Sequence, residues 1–167
     1  MPFYPWLDEL VVRVINHLDA EHRTGWSHTD MKRGAYFYRY NWYPFRLGNR
    51  GFTAFHIVSN IYPSPKMAGL LYCAARLETD LIPQYNVVVP QNIMNLFQQL
   101  HTEHIVPAEP YGHWPGALDI GVAPIALPAG FDPRLPNQNL PLNLWNEIHD
   151  TFLTNNPPLL QFLNAVP

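Results

Sequence analysis

The stretch AYFYRYNWYPFRL (Ala35–Leu47), followed by GNRG (Gly48–Gly51) and FTAFHIVSNIY (Phe52–Tyr62), decides how this chain is read. Two runs rich in aromatic and β-branched residues around a glycine-flanked tetrapeptide predict two antiparallel strands joined by a short turn. On the first strand, alternation puts Tyr36, Tyr38, Tyr40 and Trp42 on one face and Phe37, Arg39, Asn41, Tyr43 and Phe45 on the other. Both faces are aromatic, so at least one must be covered by something other than water. On the second strand Phe55, Ile57 and Ile61 form the clearer core face. Pro44, with no N–H for a ladder, marks an edge position or a bulge.

N-terminal to this hairpin, Leu7, Leu10, Val11, Val14, Ile15 and Leu18 recur at helical spacing behind Pro5. They predict an amphipathic helix over Pro5–His22 that covers one face of the sheet. C-terminal to it, Ser64-Pro65 reads as a helix start, and Met67, Leu70, Leu71 and Ala74 keep helical spacing. A helix over Pro65–Thr79 is therefore expected, with a buried strand over Leu70–Ala75 as the alternative, since a short apolar run fits both. A strand over Tyr85–Val89, a helix through Ile93, Leu96, Phe97 and Leu100, and a strand over Leu118–Leu127 then suggest a β–α–β crossover. The chain ends in two short helices, Asn143–Leu153 and Pro157–Ala165, the second capped by Asn156. The expected fold is α+β or α/β, a single globular domain over residues 1–167. Residues 128–141 form an extended Pro-rich loop whose ordering would require a partner.

The size suits one core. Charged residues make up only 14% of the chain against 47% hydrophobic, below the usual charged share of about 25%, which suggests a surface partly covered in a homo-oligomer. Net charge is −3. It is unevenly spread: residues 1–76 hold nine Lys/Arg and five Asp/Glu, while residues 77–167 hold one and eight. The halves attract, either within one chain or between two copies, or else the basic part is a binding face. A lone cysteine, Cys73, points to a reducing, cytoplasmic setting and to a core role for that residue. The start MPFYPWLDEL lacks the pattern of a signal peptide, and no segment approaches the ~20 apolar residues of a membrane-spanning helix, so no membrane partner is expected.

Between Met31 and Arg76 stand seven Lys/Arg and no Asp or Glu, with ten aromatic residues inside Tyr36–Tyr62. Arg beside aromatic rings can hold an anion and a flat group together. Arg39, Tyr40, Trp42, Arg46 and Arg50 are accordingly the expected ligand-binding residues, for an acidic protein, an anionic small molecule or single-stranded nucleic acid. The nucleic-acid reading is the weaker, because the glycine-spaced signature of an RNA-binding sheet is missing and the whole chain is acidic.

Signals for catalysis are sparser. His28 and Asp30 form a local His–carboxylate pair, and His56 lies on the second strand; these three are the candidates for acid–base work in a small hydrolase. His101 and His104, three apart near a helix end, share a face and are the candidate metal ligands, although His is also common there as a cap. No Gly-x-Ser-x-Gly elbow and no phosphate loop is present. A Mg²⁺-dependent nuclease site is disfavoured because the basic segment contains no acid and Glu78 and Asp80 have no Lys beside them. The sequence thus favours a binding module over an enzyme, with no cofactor called for.

Overall fold

Pairing of the aromatic run with the run that follows it is the first feature of the computed structural model, which describes residues 4–31, 34–39, 55–61, 69–103 and 117–166. Gly34–Arg39 (β2) lies antiparallel to Phe55–Ile61 (β3), with Phe37 opposite Ile57 and Tyr36 opposite Val58. The expected turn at Gly48–Gly51, with Tyr40, Trp42, Arg46 and Arg50, falls outside the described residues, as does His104. Three further strands complete a five-stranded antiparallel sheet in chain order: Trp26–Met31 (β1) beside β2, then Leu70–Leu77 (β4) beside β3, and Leu118–Ala126 (β5) beside β4. This is an α+β arrangement. β4 and β5 pair antiparallel, so the expected β–α–β crossover does not form between them; helices Leu81–Gln84 and Gln91–Glu103 lie in the described part of the connection.

Two expectations are corrected. The segment read as a helix over Pro65–Thr79 contains β4 instead, the alternative that a short apolar run left open. Every residue from Leu71 to Glu78 is buried, because β4 is bonded to β3 on one side and β5 on the other and is covered on both faces. A strand of that kind loses the alternation that would mark it. Tyr85–Val89 is likewise not a strand. A short helix, Leu81–Gln84 (α2), ends in a turn in which Asn86 takes a left-handed φ of 53° and Val87 N–H bonds the Ile82 carbonyl. The chain then enters Gln91–Glu103 (α3).

The described helices lie on one face. In Pro5–Glu21 (α1), Trp6, Leu10, Val11, Val14 and Leu18 are buried, and the helix packs on β1 and β2. Facing it are Ala35 and Phe37 of β2, Phe55 and Ile57 of β3, and Leu71, Cys73, Ala75 and Leu77 of β4. Cys73 is thus part of the core, as expected. Leu142–Glu147 (α4) continues without a break into a π-helical segment, Ile148–Thr154. Bonding from i to i+5 brings residues four and five apart onto one side, which lets Ile148, Phe152 and Leu153 all reach the core. Pro157–Ala165 (α5) follows, and its Phe162 stacks edge-on against Phe55 and Phe97.

Asn156 locks α5 to the sheet. Its Oδ1 accepts from Leu159 N–H as an N-cap, and its Nδ2 donates to the Gly121 carbonyl at 2.7 Å. Gly121 sits where β5 carries an extra residue against β4, with φ of 63°, and a Cβ there would stand 2.7 Å from Asn156 Oδ1. Only glycine meets both demands. Residues 128–141 contain no helix or strand, as expected, yet this chain itself orders them. Trp6 N–H donates to the Gln138 carbonyl, and the Trp6 ring meets Phe131 edge-on.

Candidate functional site

Because side chains alternate across a strand, the second face of β4 carries Tyr72, Ala74 and Arg76, with Glu78 just beyond the strand end. Register sets their neighbours: Arg76 stands directly between His56 on β3 and Asp119 on β5. Directly opposed residues of this kind have Cβ atoms about 5 Å apart, close enough for side-chain bonding. Arg76 uses it in full. Its Nε donates to Asp119 Oδ1 at 2.6 Å and its second terminal nitrogen to Oδ2 at 2.9 Å, a two-point pair. Tyr72 adds an O–H donated to Asp119 Oδ2 at 2.5 Å. On the other flank, His56 Nε2 lies 3.7 Å from Glu78 Oε1, and the His56 and Tyr36 rings meet with centroids 4.2 Å apart.

The cluster lies on the side of the sheet opposite the helices and is dry. His56 is fully buried, Arg76 and Asp119 are each 3% exposed and Glu78 is 6% exposed. A single chain suffices for this burial, so no second copy is needed to cover these groups. Burial works against the charge on Arg76, but the hydrogen bonds and negative charge of Asp119, helped by Tyr72 and Glu78, more than reverse it and hold the guanidinium above its ordinary value. Glu78 has no such partner. Burial raises its carboxyl, Arg76 pulls it back only partly, Asp80 and Asp119 push it further, and it ends at about 7.

The Asp119 carboxylate is bonded at two points by the Arg76 guanidinium, while Glu78, which lacks such a bond, is poised between its two forms near neutrality. A buried carboxyl raised toward neutrality beside a fixed charge is a usual feature of acid–base sites. Comparison with protein-family models, curated proteins and solved structures returns no match.

Of the residues singled out from sequence, His56 joins the cluster. His28 is half-buried on β1 at the position paired with Phe37, on the helix-covered side of the sheet, and Asp30 pairs with Ala35. Neither stands beside His56. His101, in the last turn of α3, places Nδ1 3.1 Å from the Asp119 carbonyl, so it steadies the strand that carries Asp119. Arg39 is buried, with Nε and one terminal nitrogen donating to the Thr24 carbonyl at 3.3 and 2.7 Å. Among the described residues no group of three His, Cys, Asp or Glu is placed to hold a metal ion, and no helix is long and apolar enough to cross a membrane. Tyr72, Arg76, Glu78 and Asp119 did not emerge from the sequence as one site, since a helix over Pro65–Thr79 would have sent Tyr72 and Arg76 elsewhere.

Proposed function

We propose that this protein is an acid–base enzyme whose site is the buried polar cluster on the face of the sheet opposite the described helices. In this reading Glu78 takes up and releases the proton, and His56 is its partner across 3.7 Å. Arg76 is held by Asp119, which Tyr72 also bonds, as a fixed positive charge beside them. The observation that carries the reading is the buried Glu78 carboxyl poised at about 7 next to His56. A group with that value donates and accepts protons with comparable ease at neutral pH, the optimum for general acid–base catalysis. The substrate class is a small polar molecule that gains or loses a proton as it reacts, hydrolysis being the simplest case.

Two measurements test this together. Carbon NMR of labelled Glu should show one carboxyl titrating near 7 that disappears in Glu78→Gln; a spectrum with every Glu near its ordinary value removes the proposal. Hydrolysis of activated p-nitrophenyl esters should fall about 100-fold in Glu78→Gln and in His56→Gln. Equal rates in all three proteins would show that the cluster is only structural.

A second reading keeps the basic, aromatic segment as a binding surface for an acidic protein, an anionic small molecule or single-stranded nucleic acid. The seven-to-zero charge run favours it. Arg76 and Arg39 are already engaged, by Asp119 and by the Thr24 carbonyl, which leaves Lys32, Arg33, Arg46, Arg50 and Lys66 to carry it. Saturable quenching of tryptophan fluorescence by a short oligonucleotide, weakening steeply with salt, is the expected result; no quenching removes nucleic acid.

A further inference from the structure

Three histidines meet where α1 ends against the π-helical segment. The His17 ring lies edge-on to His149 with centroids 5.1 Å apart and to His22 at 6.1 Å. His17 Nε2 is shut off from solvent and has no hydrogen-bond partner among the described residues. We propose that His17, His22 and His149 form an acid-released latch, which holds the π-helical segment on α1 when the imidazoles are neutral and lets it go when they are charged.

The surroundings decide the direction. From α1 the charged neighbours are Glu21, which favours positive charge on His17 and His22, and Arg13, whose guanidinium lies 5.6 Å from the Trp145 ring centre. From α4 and the π-helical segment they are Glu147, engaged by the Thr151 hydroxyl, and Asp150, whose Oδ1 is 2.8 Å from His149 Nδ1. Asp150 thus faces His149 from its own segment, and His17 faces the His149 ring from α1. For His17, burial and the positive charges of His149 and His22 outweigh Glu21 and the Leu153 backbone, and its value lies below the ordinary 6.5. His22 is lowered too, chiefly by burial and against Glu21. Neutral His17 and His22 therefore suit the closed form, and closure weakens as pH falls below about 6.5.

What opens is identifiable. A π-helical turn is an unusual winding retained because Ile148, Phe152 and Leu153 are buried through it. It packs on β5 and leads into Asn156, the residue bonded to Gly121. Between them lies an open groove of about 360 Å³, lined among others by Gly121, Val122, Thr151, Asn155 and Pro157. Release of the latch would change the wall of this groove and the support of the strand that carries Asp119.

Hydrogen exchange of the full chain tests the latch. Corrected for intrinsic rates, amides of residues 148–154 should lose protection by up to about tenfold per pH unit below about 6.5, one extra proton being taken up on opening. Protection in α3 should stay level. His17→Gln and His149→Gln, both at half-exposed positions that tolerate a polar amide, should each flatten the response. Unchanged protection at residues 148–154, or an undiminished acid response in both variants, would overturn the proposal.

Discussion

An Asp119→Ala variant is expected to lose about 3–5 kcal/mol of stability, because removing one member of a buried ion pair leaves the other without compensation. Three donated bonds end on this carboxylate, two from Arg76 and one from Tyr72, and all three groups are at least 97% buried. The guanidinium cannot shed its proton, so it must either stay charged in a dry place or draw water in. For a chain of this length the loss corresponds to a fall in Tm of about 10 °C. Replacing both members, as in Arg76→Met with Asp119→Leu, should recover most of the loss, since an apolar pair of similar volume avoids the desolvation altogether. Urea unfolding of the single and double variants measures both effects. A loss below about 1 kcal/mol in the single variant would mean that water already reaches the pair.

The second large effect depends on pH. Glu78 has its carboxyl raised from 4.5 to about 7 in the folded chain, so the fold favours the protonated form. Its contribution to stability is fully present below about pH 4.5, declines as pH rises, and is lost above about pH 7. Across that interval the stability difference between the parent and Glu78→Gln should move by about 3 kcal/mol, with the variant gaining relative to the parent at alkaline pH. Urea titrations of both proteins at about pH 5 and about pH 8 decide the matter. A difference that stays constant would place Glu78 in contact with water and would remove the physical basis for its acid–base role.

Much of the helical part was legible in the sequence. The apolar stripe of α1 reads directly from Leu10, Val11, Val14 and Leu18, and the cap of α5 from Asn156 ahead of two prolines, because these signals repeat within a turn or two and answer to one buried face. Strand β4 did not read as clearly. Leu71–Leu77 is buried on both sides, so the period that separates strand from helix is absent from its pattern, and pairing with β3 and β5 decides the matter. The run Tyr85–Val89 misled for the opposite reason, since its β-branched residues suggested a strand while Asn86 turned the chain.

The site follows the same division. The sequence by itself determined that the first half is rich in positive charge and the second in negative, that aromatic residues crowd the middle of the chain, and that α1, α3 and α5 each present an apolar face. Only the tertiary structure decided that one positive charge from the first half, Arg76, would meet one negative charge from the second, Asp119, 43 positions further on. Antiparallel register across β3, β4 and β5 sets His56, Arg76 and Asp119 side by side, and a shift of one residue would turn any of them to the other face. Burial then does what no sequence pattern records: it raises the Glu78 carboxyl to about 7, an effect that the charge of Arg76 only partly offsets.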